Sequence, residues 1–135
     1  MDKTRSLFKG GRFLIGILLV FVLLGCSRDD KTAEPVEPIE VELQVPEKGK
    51  VNEPIEISAT VTQGDELVAD ADEVIFEIWK DGNKEESEMI GYDHHENGTY
   101  SIVTTFTDEG VFHVQVHVTA RRMHVMPTKQ ITIGD

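Results

Sequence analysis

The chain has 135 residues, with 13 Lys and Arg against 25 Asp and Glu and a formal net charge of −12 at pH 7. An acidic surface of this kind repels nucleic acid and anionic lipid head groups, so no nucleic acid partner is expected; it suits cations or a basic protein patch. A single cysteine rules out an intramolecular disulfide and any site built from several thiolates, so the fold has to hold by its core alone.

The first twelve residues, MDKTRSLFKGGR, carry Lys3, Arg5, Lys9 and Arg12 against Asp2. An apolar run over residues 13–24 follows and ends at Gly25-Cys26. A spanning helix needs about 20 apolar residues. This run is shorter, and its order of basic, apolar and small residues is that of a secretory signal peptide. Leu23-Leu24-Gly25-Cys26 resembles a bacterial lipobox, which implies cleavage before Cys26 and a lipid on its sulfur. Residues 1–25 are therefore expected to be a lipoprotein signal peptide. Residues 26–38 are expected to be the lipidated cysteine and a flexible stalk, since SRDDKTAEPVEP is polar, holds two prolines and shows no apolar period. The expected location is extracytoplasmic, lipid-anchored to the cell membrane. Past residue 25 the chain keeps 9 basic and 24 acidic residues, a net charge of −15.

From residue 39 the apolar pattern has a period of two, the signature of strands with one buried face. IEVELQV sets Ile39, Val41, Leu43 and Val45 on one side, and IEISATVT does the same with Ile55, Ile57, Ala59 and Val61. In EVIFEIWK, Val74, Phe76 and Ile78 share one face while Ile75 and Trp79 share the other, which predicts a strand covered on both sides. SEMIGYD reads as a short strand, HHENG as a turn, and TYSIVTTF as a strand with Tyr100, Ile102 and Phe106 inward. VFHVQVHVT turns Phe112, Val114, Val116 and Val118 to the core and His113, Gln115, His117 and Thr119 away from it. Residues 120–127 read as a loop, and KQITIG closes the domain with Ile131 and Ile133. The whole predicts an all-β protein, an immunoglobulin-like β-sandwich of about seven strands over residues 39–135.

Catalytic signatures are absent: no free thiol after lipidation, no Gly-x-Ser-x-Gly, no phosphate-binding glycine loop and no His-Glu-x-x-His. The chain is expected not to be an enzyme. Two acidic stretches, residues 70–73 and 81–86, lack the spacing of a twelve-residue calcium loop and read as solvated. The segment HVTARRMHVMP, residues 117–127, is different, because it gathers two of the five histidines and two of the four methionines. Imidazole and thioether together suit a soft or borderline ion, Cu(I) above all. In an extended segment His124 and Met126 fall on one side about 7 Å apart, and Pro127 holds Met126 extended. His117 sits near the end of the preceding strand on its outer face, where a returning segment would meet it. His117, His124 and Met126 thus form the candidate metal set, with Met123 a candidate fourth ligand; Met89 of SEMIGYD is a separate candidate elsewhere in the chain. The residues alone leave a second reading open, in which Met123 and Val125 plug the end of the sandwich. Adjacent His94 and His95 point apart in a strand and read as surface histidines. His113 lies about 13 Å along the strand from His117, too far to share an ion.

The stretches VHVTARRMHVMP, DEVIFEIWK and ESEMI make residues 39–135 resemble the YtkA-like family of bacterial lipoproteins, related to FixH. That resemblance implies an immunoglobulin-like domain outside the membrane that handles copper for terminal oxidase assembly, with Cu(I) as the bound metal and an apo-oxidase or other copper protein as the partner. By position it points again to His117, His124 and Met126, with Met123 and Met89 behind them. The competing expectation is a metal-free immunoglobulin-like lipoprotein that binds another envelope protein.

Overall fold

A computed structural model describes residues 35–134 of the chain. The expected signal peptide, Cys26 and most of the expected stalk lie outside the described residues. Eleven strands follow in chain order: β1 (Ile39–Gln44), β2 (Lys48–Gly49), β3 (Ile55–Gln63), β4 (Glu66–Leu67), β5 (Glu73–Lys80), β6 (Glu88–Gly91), β7 (His94–Glu96), β8 (Thr99–Thr104), β9 (Gly110–Ala120), β10 (Met123–Val125) and β11 (Thr128–Ile133). One sheet has the order β1-β3-β8-β7, with β4 paired to β3; the other runs β2-β11-β9-β5-β6, with β10 paired to β9. Apolar faces of both sheets meet in one core, so the architecture is a β-sandwich.

Seven of these strands, β1, β3, β5, β6, β8, β9 and β11, are those expected from the alternating pattern. The other four are two or three residues long and fall in segments that read as turns or loops. Such short pieces hold too few positions for a period to show.

Alternation along β9 gives the sandwich its sidedness. Val114, Val116, Val118 and Ala120 are wholly buried, and they meet Val74, Phe76 and Ile78 of the neighbouring β5 on the same face. Phe112 packs against this core only in part. From the other sheet come Leu43, Ile57, Ala59, Val61, Tyr100 and Ile102. Tyr100 is buried with its hydroxyl satisfied, donating to the Val68 carbonyl at 3.0 Å and accepting from the Ala71 N–H at 3.1 Å. A buried hydroxyl without those bonds would be costly.

Two tight hairpins carry four of the five histidines. Asn97-Gly98 links β7 to β8 with φ of 48° and 81°, and Arg121-Arg122 links β9 to β10 with φ of 51° and 66°. Positive φ at both central residues is the type I′ geometry that matches strand twist. Asn-Gly adopts it readily; two arginines do so against a cost of roughly 1–2 kcal/mol per residue. Arg121 is held in place by its side chain, which donates to Asp70 Oδ1 at 2.9 Å, Gln63 Oε1 at 3.2 Å and Glu66 Oε1 at 3.3 Å. These bonds pin the tip of the second hairpin to the opposite sheet. Residues 120–127 are therefore not the loop their composition suggested.

Candidate metal site on the outer face of the second sheet

The two-residue turn decides which side chains face out. Met123 pairs with Ala120, His124 with Thr119 and Val125 with Val118. Thr128 then pairs with Gln115 in the same register. β10 and β11 are thus one line along β9, interrupted at Met126-Pro127. Met126 falls opposite His117 and Pro127 opposite Val116, as the bond from Val116 N–H to the Pro127 carbonyl at 3.1 Å requires. Proline cannot return the reciprocal bond, which accounts for the break.

His117, His124 and Met126 consequently stand on one solvent-facing surface. Side chains directly across a pair of strands have Cβ atoms about 4.5–5.5 Å apart, and diagonal neighbours roughly 7–8 Å. The rings of His117 and His124 have centroids 6.0 Å apart and planes inclined at 36°. An imidazole nitrogen sits about 2 Å from a borderline metal, so two rings on one ion have centroids roughly 5–6 Å apart. Met126 is 49 % exposed and His124 is exposed, so the face is open to an incoming ion or partner.

Each histidine has one ring nitrogen engaged. His117 Nε2 lies 2.9 Å from Glu77 Oε1, and His124 Nδ1 lies 2.7 Å from Thr119 Oγ1. His117 Nδ1 and His124 Nε2 are the nitrogens left to act as ligands. Glu77 is itself buried although it stands on the outer face. Hydrogen bonding by the Ser87 hydroxyl and by His117 holds its carboxyl below the usual value of 4.5, against the opposing effect of burial; His117 and Lys84 add charge stabilisation.

The remaining candidates are placed apart. Met123 faces the core beside Ala120 and packs against it, so it does not join the outer set as a fourth ligand. The reason is parity: in a strand that starts straight after a two-residue turn, Met123 and His124 must point to opposite faces. Met89 is on the right face, opposite Glu77, but β5 lies between it and His117. It is 55 % exposed and sits at the margin of the site. His94 is exposed, 3.9 Å from Glu96, while His95 stacks on Tyr100 with centroids 4.3 Å apart. His113 bonds to Asp81 Oδ1 at 2.7 Å and stacks on Trp79 at 5.3 Å.

Two neutral imidazoles and a thioether, with no thiolate, form a donor set that fits a soft monovalent ion better than a hard one. Among the described residues no three His, Cys, Asp or Glu side chains converge. Glu77 is the residue of this face that the sequence did not reveal. Its signal is a charged residue between Ile75 and Trp79 on the second, partly covered face of β5.

A family model described as YtkA-like matches residues 33–117. The match takes in β5, β6 and His117 but stops before His124 and Met126, so those two rest on the register of the hairpin. No curated protein matches the chain. Among solved structures, the soluble domain of PmoD from Methylocystis sp. ATCC 49242 (Rockwell) is similar with a TM-score of 0.49 at 10 % identity, covering 76 % of this chain and 95 % of that one. The superoxide reductase (neelaredoxin) of Ignicoccus hospitalis gives 0.48 at 12 %, covering 70 % and 80 %. The CARDB domain of the PF1109 protein from Pyrococcus furiosus, in complex with di-metal ions, gives 0.47 at 16 %, covering 76 % and 97 %. At such identities no side chain of theirs is carried onto this chain.

Proposed function

This chain belongs to the YtkA-like family, and from that premise we propose that it is a membrane-tethered, extracytoplasmic Cu(I)-binding module that supplies copper for terminal oxidase assembly. The observation that carries the reading is the register across the second hairpin, which sets Met126 opposite His117 and His124 beside both on one open face. His117, His124 and Met126 would hold the ion, with Met89 at the margin of the same face. Bound there, Cu(I) would be cargo to be passed on.

The placement of these residues determines their contribution. Two exposed donors, His124 and Met126, on an open face let an acceptor's ligands approach while the ion is still held, which suits transfer by ligand exchange. A buried site would not. The absence of a thiolate keeps the hold weaker than a cysteine site, as a donor requires. Cys26 would tether the domain through its lipid, and the polar stalk would let it reach a membrane-bound apo-oxidase or other copper protein. No step of this reading makes the protein an enzyme.

The test is an anaerobic Cu(I) titration of the full-length protein in detergent against a chromogenic chelator. One ion per chain is expected, with His94→Ala and His95→Ala matching wild type. If wild type fails to compete with the chelator, the copper reading falls, and the alternative of a metal-free lipoprotein that binds another envelope protein takes its place.

A further inference from the structure

Glu77 is the only charged side chain buried among the described residues. It is also oddly placed, on the solvent face of its sheet, where a neutral residue would avoid the desolvation that a buried carboxylate suffers. Its side chain retains only 11 % of its exposure and that of His117 19 %, while Oε1 and Nε2 are 2.9 Å apart. A carboxylate this far from water is costly unless it is hydrogen-bonded, and His117 supplies one of its partners. An ionised carboxylate can only accept a hydrogen bond. It therefore requires the proton of a neutral His117 ring to sit on Nε2, which leaves Nδ1 with a bare lone pair.

We infer that Glu77 is a positioning residue: its buried carboxylate locks His117 in the Nε2–H tautomer and fixes the ring so that Nδ1 stands ready as a ligand on the open face. The inference rests on the copper reading for its purpose, but the lock itself belongs to the metal-free protein. His124 has a different arrangement. Its partner is the Thr119 hydroxyl, which both donates and accepts and so imposes no tautomer. One histidine is held rigid and the other left adaptable, which is the division expected of a site that must be preformed yet release its ion. An acceptor protein would find His124 the easier ligand to displace.

The lock is read by ring nitrogen chemical shifts, which distinguish the two neutral tautomers from the charged ring, in the metal-free, full-length protein in detergent at pH 8. Wild-type His117 is expected almost wholly as the Nε2–H tautomer, and His124 as a mixture. Glu77→Gln keeps the shape but offers an amide that can accept from Nε2–H or donate to a bare Nε2, so His117 should become a mixture. Cu(I) affinity should then fall by about 10- to 100-fold, the usual effect of losing a carboxylate behind a ligating histidine. If wild-type His117 is found with its proton on Nδ1, or its tautomer ratio is unchanged in Glu77→Gln, the inference is overturned. The wild-type spectrum decides even where the variant does not fold. Should the lock be present and lost in Glu77→Gln while wild type binds no Cu(I), the positioning role stands and the proposed function falls.

Discussion

Two hairpins in this molecule each have a two-residue turn of the same geometry and each present two histidines. In the β7–β8 hairpin His94 and His95 are adjacent, so strand alternation sends them apart: one to solvent near Glu96, the other flat against Tyr100. In the β9–β10 hairpin His117 and His124 are seven residues apart in the sequence, and antiparallel pairing returns them to one face with ring centroids 6.0 Å apart. Proximity along the chain is a poor guide to a shared ligand; parity and register across the turn decide it. The first hairpin uses its histidine for packing, and the second leaves a pair of donors beside a thioether.

Copper affinity should break this symmetry most strongly. His117→Ala, His124→Ala and Met126→Ala should each weaken Cu(I) binding tenfold or more, where each tenfold is about 1.4 kcal/mol. His94→Ala and His95→Ala should leave it within about twofold, all five read by chelator competition. His124→Ala and Met126→Ala should hardly move the melting temperature, since exposed side chains contribute little packing.

Met123 sharpens the same contrast within one strand. It is partly buried against the core, so Met123→Ala should destabilise by about 1–2 kcal/mol in chemical denaturation, below the 2–5 of a fully buried site. Its Cu(I) affinity should stay at the wild-type value. A loss of affinity without a loss of stability would put Met123 on the metal and refute the parity argument.

The turns give a smaller, opposite pair of effects. A Cβ on Gly98 would lie 3.1 Å from Leu67 Cβ and 3.2 Å from Val68 N at a φ of 81°, so Gly98→Ala should cost at least about 1 kcal/mol. Arg122 has φ of 66°, and Arg122→Gly should instead stabilise by about 0.5–1 kcal/mol by relieving its left-handed strain. Equal and unfavourable changes would mean that the arginine turn carries no strain.

The last effect is on acid stability. Glu77 has its folded-state pKa lowered, so its contribution is fully present above the unfolded value of 4.5 and is lost as pH falls through the lower folded value. Glu77→Gln should lose that part of the pH dependence below about 4.5 and leave the profile at higher pH parallel to wild type.

The two hairpins also differ in how far the sequence reveals them. Val114, Val116 and Val118 announce β9 because three buried residues alternate with polar ones, and the seven longer strands are legible from such runs. Asn97-Gly98 is a turn that its residues advertise. Arg121-Arg122 is not, since arginine has no preference for positive φ; the geometry is imposed by the strands on either side and by the bonds from Arg121 to Asp70, Gln63 and Glu66. Without the length of that turn, the faces of Met123, His124 and Met126 stay undetermined. His124 and Met126 could be paired from their spacing, but the exclusion of Met123 and the alignment of Met126 with His117 need the register. Glu77 was hidden for another reason. A Glu in an acidic chain carries no mark of burial until β6 and the segment before it are known to cover β5.

X-ray absorption at the copper edge of the anaerobically loaded, full-length protein tests the central claim most directly. The account predicts Cu(I) bound by two imidazole nitrogens and at least one thioether sulfur, with the sulfur lost in Met126→Ala and retained in Met123→Ala. A spectrum without sulfur in wild type, or with sulfur that persists in Met126→Ala, would contradict it.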